Sequence, residues 1–217
     1  MDFEKAMATM WDYLKGNNPE GKNLLDDTLI VLFADHNAYY HRLSDYVKGI
    51  EDYDEIDDAE TKYTDLYNIP LMIYDKDLIE TFRAENNLDE GEQNIVDKYV
   101  CTADITTTVL DLLGIRYFEN LYFGNSIFEE ESSVLYSRAY NNFLSSGIIG
   151  SSVNNIIYQH SSVTEEALKK HKEKAEAMVK KIMFCDYIFR QDYFGNANNL
   201  EKYKAMMNEA NPGLFEE

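Results

Sequence analysis

Two neighbouring residues, Asp35 and His36, follow directly on a run of apolar and β-branched residues that extends from Thr28 to Phe33. A carboxylate and an imidazole are both good ligands for Mn²⁺ or Zn²⁺. Ligands of open α/β sheets gather at the carboxyl ends of the strands, where this pair is expected to lie. The pair is therefore a candidate metal site. The alternative is an ordinary turn, in which Asp35 caps the following segment and His36 is partly exposed.

The chain contains only four histidines, so the position of each of them is informative. His41 lies five positions after His36, and by itself it is most simply a surface histidine. His160 stands at a predicted strand end and His171 on a lysine-rich helical face. We interpret both of these as structural residues.

Composition limits the classes of function. With 217 residues, 45% of them hydrophobic, the chain is long enough to bury a real core. Its net charge of −20 argues against nucleic acid and against a basic membrane-binding patch, since both depend on clustered Lys and Arg. No run approaches the ~18 apolar residues of a membrane span, and the N-terminus lacks the basic region of a secretory signal.

Cysteine usage indicates no disulfide framework. The two cysteines, Cys101 and Cys185, show neither a CxxC motif nor a metal-type spacing. The sequence alone leaves both possibilities: that the two cysteines form a single disulfide and that they do not.

Periodicity predicts helices and strands in alternation. A helix begins at Asp2 and ends at Gly16, and buried strands are predicted over 28–33 and 69–75. The acidic, tyrosine-bearing residues 37–66 are predicted to form a long exposed insertion.

The second half of the chain contains another helix, three strands and a long helix. Thr102 or Asp104 is expected to cap the first helix, and Ser162 or Thr164 the last. The strands are predicted within 133–140, 147–153 and 155–160, the last two forming a hairpin that turns around Asn154 and Asn155. The whole pattern predicts an α/β sheet followed by a smaller antiparallel piece.

Four segments in this order resemble the C-terminal half of the alkaline-phosphatase superfamily, and most closely its sulfatase-like branch containing the lipoteichoic acid synthases. They are "LLDDTLIVLFADHNAYY", "YNIPLMIYD", "TADITTTVLDLLGI" and "YFGNSIF". Two positions depart from the family pattern: Ala34 stands where the family has Gly before Asp-His, and Thr107 stands where it usually has Pro.

The resemblance implies an α/β fold: the C-terminal portion of an alkaline-phosphatase-like sheet with flanking helices, a small antiparallel region and a long C-terminal helix. It divides the chain into a sulfatase-like portion, residues 1–160, and a helical tail, residues 161–217. It also implies that Asp35 and His36 hold a divalent metal, Mn²⁺ first and Mg²⁺ or Zn²⁺ as alternatives. His41 has no counterpart in the family pattern, but an imidazole so near this pair is a candidate contact for a substrate phosphate, with a surface histidine as the favoured alternative.

The implied activity is transfer of a phosphoglycerol head group or hydrolysis of a phosphate or sulfate ester. The substrate would be a phospholipid head group or another anionic ester. The complete protein would be membrane-anchored with this domain outside the cytoplasm, whereas the chain itself would be soluble.

The family's nucleophile, usually a threonine, lies upstream of the Asp-His segment, and no residue here matches its motif. The chain is therefore expected to be a truncated piece or a natural remnant, inactive alone, weak in metal binding and able to self-associate through an exposed strand edge. The alternative is a non-catalytic scaffold or wall-binding interaction domain that keeps the fold.

Overall fold

The computed structural model describes residues 2–35, 68–129, 134–137 and 141–213. The chain divides into two compact units, Met1–Ile95 and Val96–Glu217. The predicted insertion over 37–66 lies outside the described residues.

The described residues of the first unit form two helices and a two-stranded antiparallel sheet. In this sheet Ile30 is paired with Tyr74 and Phe33 with Leu71. Its elements are α1 (Asp2–Leu14), β1 (Ile30–Phe33), β2 (Leu71–Tyr74) and α2 (Lys76–Glu85), with a 3-10 turn at Leu25–Asp27.

Helix α1 confirms the predicted N-terminal helix and helps to place the strands. Gly16 ends it with a φ of +126°, in a region that favours glycine. The Trp11 and Tyr74 rings meet edge to face with centroids 4.8 Å apart, which joins α1 to β2.

Helix α2 was not predicted, although its start carries a recognisable signal. The Asp75 side chain accepts a hydrogen bond from the Leu78 backbone N–H at 2.8 Å, as a helix N-cap does. Lys76 also binds Asp26 at 3.1 Å, so the start of α2 is joined to the turn before β1.

In the second unit, the part of the chain that the structure describes forms three helices and a four-stranded sheet of order β3-β4-β5-β6, in which every neighbouring pair is antiparallel. Its elements are α3 (Thr102–Leu112), β3 (Leu135–Ser137), β4 (Asn142–Ser145), β5 (Ile148–Gly150), β6 (Ile156–Gln159), α4 (Glu165–Arg190) and α5 (Ala197–Ala210).

The three predicted strands are confirmed as β3, β5 and β6, but a fourth strand, β4, was not predicted. This strand is short, and a tight turn at 146–147 leads directly from it into β5, with Gly147 at a φ of +70°. The predicted β5–β6 hairpin is confirmed, including its turn, where the Ser151 N–H donates to the Asn155 carbonyl.

The long helix α4 packs on this sheet through one face. Its Ala175 lies in a buried cluster with Val134 and Phe143. Thr164 is its N-cap and accepts a hydrogen bond from the Ala167 N–H at 3.1 Å, which confirms one of the two predicted caps.

Helix α5, not predicted as a separate helix, is joined to the segment after α3 through the side chain of Asn211. Asn211 accepts a hydrogen bond from the Arg116 N–H at 2.7 Å and donates one to the Arg116 carbonyl at 2.9 Å. The described part of the tail, residues 161–213, belongs to the same compact unit as α3, and the predicted domain boundary after residue 160 stays a prediction.

The fold is mixed α/β with flanking helices, a small antiparallel region and a long C-terminal helix, as predicted. The β1–β2 pair is antiparallel as well, which was not predicted. Within the described ranges, no helix combines the length and apolar character needed to cross a bilayer.

Candidate functional site

The predicted site begins where β1 ends. The Ala34 N–H donates to the Pro70 carbonyl at 3.3 Å, which extends the β1–β2 hydrogen bonding one residue beyond Phe33. Asp35 follows immediately and is exposed. A carboxylate here combines a backbone fixed by strand pairing with a side chain that water or an ion can reach.

The partners predicted for Asp35 cannot be compared with the structure. Both His36 and His41 lie outside the described residues, so the metal pair and the substrate contact stay predictions. Among the residues that are described, no three acidic, histidine or cysteine side chains are grouped closely enough to hold a metal ion. The donor set of Asp35 and His36, one oxygen and one nitrogen, suits Mn²⁺ or Zn²⁺ chemically.

Asp35 is positioned through β1, which is anchored at its start. The Thr28 hydroxyl donates to the Leu24 carbonyl at 2.6 Å, and the Leu24 N–H donates to the Leu14 carbonyl at 2.7 Å. These bonds run from the C-terminal end of α1 to the beginning of β1. They fix the strand before it reaches the candidate ligand.

The other motifs of the resemblance meet around a buried carboxylate, that of Asp104, which is 4% exposed. One of its oxygens accepts from the Cys101 N–H at 2.7 Å and the other from the Asn125 N–H at 2.9 Å. Asp104 therefore joins the start of α3 to the turn 124–128. The predicted cap was misplaced, since the N-cap is Cys101 and Asp104 stands three residues later.

Two of the threonines that follow Asp104 form hydrogen bonds with nearby backbone groups. Thr107 and Thr108 are fully buried, and their hydroxyls donate to the Asp104 carbonyl at 3.0 and 2.6 Å. The Thr108 hydroxyl also accepts from the Ile127 N–H at 3.1 Å. One turn farther along α3, the Ser126 hydroxyl donates to Asp111 at 2.6 Å. The Thr108–Ile127 and Asp111–Ser126 contacts tie α3 to the turn 124–128, whereas the bonds to the Asp104 carbonyl lie within the helix.

Gly124 permits this close approach of helix and turn. A Cβ at Gly124 would overlap the carbonyl group of Ala103 and lie 2.5 Å from the Asp104 backbone nitrogen. Only glycine fits without displacing backbone. We call this arrangement of Asp104, Thr108 and the turn 124–128 the α3 clamp. Both motifs that form it are recognisable in the sequence, but the contact between them was not predicted.

Cys101 borders the clamp and is not suited to act as a nucleophile. Burial, with a smaller contribution from the negative charge of Asp104, raises the pKa of its thiol to about 12. Cys101 and Cys185 are both free thiols, so the disulfide left open by the sequence is not formed.

The two remaining histidines both hydrogen-bond to a serine. The His160 Nδ1 lies 2.7 Å from the Ser162 hydroxyl, and the His171 Nδ1 lies 2.7 Å from the Ser145 hydroxyl. His171 is 2% exposed, and its Nε2 has no hydrogen-bond partner among the described residues. Burial, together with the charge of Lys172, lowers the pKa of His171. The buried contact of His171 with Ser145 is consistent with a packing role, and the structural interpretation of the two histidines stays a prediction.

In a comparison with known proteins, a family model matches part of the chain. The model of the family described as Sulfatase matches residues 20–115, a segment that includes β1, Asp35, β2, α2 and α3. This match supports a relationship of the segment to sulfatases and alkaline-phosphatase-like proteins. No curated protein and no solved structure matches the chain.

Proposed function

We propose that the complete protein is a metal-dependent, sulfatase-like enzyme that transfers a phosphoglycerol head group or hydrolyses a phosphate or sulfate ester. The observation that carries the proposal is the position of Asp35 within the segment that matches the sulfatase family. It is an exposed carboxylate placed directly after paired strand backbone. In this proposal residues 20–115 supply part of the metal-holding side of the active site.

Asp35 and His36 would hold the ion, for which Mn²⁺ is the first candidate and Mg²⁺ or Zn²⁺ are the alternatives. When bound, such an ion polarises an ester oxygen and lowers the pKa of an attacking hydroxyl. Asp35 contributes a negative charge that attracts the cation, and the paired backbone before it limits the positions that the carboxylate can take. With two protein ligands, we expect the chain alone to bind metal weakly, since useful sites normally take three or four.

We place the nucleophile outside the motifs of this chain, because none of its threonines stands in a matching pattern. His41 is the proposed substrate contact, and a phospholipid head group or another anionic ester is the proposed substrate. An extracytoplasmic domain attached to a membrane anchor belongs to the same proposal. So does self-association of the chain through an open edge of the β1–β2 pair, because unpaired strand edges tend to find partners.

Metal binding provides the first test. Titration calorimetry with Mn²⁺ should detect weak binding that is lost in Asp35→Asn and His36→Ala. Asp27→Asn is the matched control, because Asp27 is an exposed carboxylate in the turn just before β1. Binding that is equal in all variants, or absent from the unmodified chain, would favour the turn interpretation and with it the scaffold or wall-binding alternative.

Activity provides the second test. The chain alone should not turn over a chromogenic phosphodiester in the presence of Mn²⁺. Turnover that persists in Asp35→Ala would contradict both the assigned role of Asp35 and the absence of a nucleophile.

A further inference from the structure

The C-terminal half of α4 exposes an apolar and charged stripe. Met183 is 67% exposed and Tyr187 is 58% exposed, which is high for large side chains on a helix that packs on a sheet. The face that packs on the sheet includes His171 and Ala175, both fully buried. The exposed side chains lie on a different face of the same helix.

These residues belong to a regular series. Glu176, Lys180, Met183, Tyr187 and Arg190 follow one another at alternating intervals of four and three residues. This spacing places side chains along one line of a helix and is the spacing of a seam between two packed helices. The three charged members are also exposed, with side-chain exposures between 61% and 75%. We call these five residues the α4 stripe.

The charges of the α4 stripe, together with that of the adjacent Asp186, are self-complementary in one orientation. When two copies of α4 pack antiparallel with Met183 at the centre, residues equally distant from Met183 meet. Glu176, seven residues before, then faces Arg190 of the second copy, and Lys180, three before, faces Asp186, three after. Both pairs carry opposite charges. Parallel packing would instead oppose Glu with Glu, Lys with Lys and Arg with Arg.

We propose that the α4 stripe is an interface on which a second copy of this chain docks, antiparallel and centred on Met183. The apolar contact is that of Met183 with its own counterpart, flanked by Tyr187 lying over the aliphatic part of Lys180 of the other copy. Within each copy, Glu176 already pairs with Lys180 at 3.2 Å and Asp186 with Arg190 at 2.6 Å. On docking, the Glu176–Lys180 pair of one copy meets the Asp186–Arg190 pair of the other, which gives a row of four charges on each side of Met183.

The size of the interface sets its expected strength. From Glu176 to Arg190 the helix rises about 21 Å, at ~1.5 Å per residue. Two such segments form a small interface, so the dimer should dissociate in the micromolar range or above, on the order of weak transient complexes. The net charge of −20 on each copy opposes association further.

Analytical ultracentrifugation of the full chain over a range of concentrations tests the proposal. A reversible dimer is expected, and Met183→Lys should raise its dissociation constant at least about tenfold. Met206→Lys is the matched control, because Met206 is also an exposed methionine, on α5, and should leave the dimer unchanged.

Charge reversal distinguishes this orientation from other contacts. Glu176→Arg should weaken the dimer, and Glu176→Arg combined with Arg190→Glu should restore it. A chain that stays monomeric throughout would overturn the proposal. A dimer that survives Met183→Lys would also overturn it, because that dimer would form through a surface other than α4, such as the β1–β2 edge. A double variant that dimerises as weakly as the single one would overturn it as well.

Discussion

Replacing Asp104 by asparagine tests whether the α3 clamp stabilises the unit that contains it. The carboxylate is 4% exposed and accepts one backbone N–H on each oxygen, from Cys101 and Asn125. Asparagine has the same shape but only one accepting oxygen. One of the two N–H groups would therefore face an NH₂ group, donor against donor.

The expected cost follows from that loss. A hydrogen bond to a charged group contributes about 1.5–3 kcal/mol, and a buried N–H left without a partner is costly in itself, so we expect Asp104→Asn to lower the free energy of unfolding by roughly 2–4 kcal/mol. At about 3 °C per kcal/mol for a domain of this size, Tm should fall by about 6–12 °C. Asp104→Ala should cost more, since both N–H groups lose their acceptor.

Urea denaturation followed by circular dichroism, with a matched thermal scan, measures this change. Asp111→Asn is the control: it makes the same substitution in α3, at an exposed position where the amide oxygen can still accept the Ser126 hydroxyl. It should change stability by less than about 1 kcal/mol. Equal effects of the two substitutions would refute the reasoning, because the buried carboxylate would then contribute no more than an exposed one.

Two further predictions concern the same unit. Gly124→Ala should destabilise it by about 3 kcal/mol or more in urea denaturation, because the new methyl group meets backbone; Gly21→Ala, at a positive φ but in open space, should cost only about 1 kcal/mol. The pKa of His171 is lowered in the folded state, so the unfolded chain takes up the proton first, and the free energy of unfolding should fall as the pH drops below about 6.5. The slope from this group is at most about 1.4 kcal/mol per pH unit, and His171→Gln should remove that part of the pH dependence; an unchanged slope would contradict it.

Local pattern was sufficient where an element carries its own signals. The apolar spacing of α1 and its terminating Gly16 are both in the sequence, and so is the Thr164 cap of α4. Strand β4 was missed because its "NFLS" segment has no clear alternation and its turn is short. The N-cap residue Asp75 is a helix-start signal in the sequence, yet α2 was not predicted from it.

The candidate site was predictable only in part, for a physical reason. The position of Asp35 after a strand follows from adjacent residues, so sequence reasoning could place it. The α3 clamp depends on contacts between Asp104 and Asn125, which are 21 positions apart, and hydrophobic periodicity contains no information about such pairs. The metal role of Asp35 and His36 stays a prediction.

The hydrogen bonds of Asn211 matter for the resistance of the protein to deamidation. Its NH₂ group donates to the Arg116 and Met207 carbonyls, so conversion to aspartate would set a carboxylate against two carbonyl oxygens. Deamidation normally proceeds by attack of the next residue's backbone nitrogen on the side-chain amide. The next residue is Pro212, whose nitrogen carries no hydrogen and is enclosed in a ring. Pro212 therefore blocks the spontaneous deamidation of Asn211, the residue whose side chain joins α5 to the Arg116 backbone.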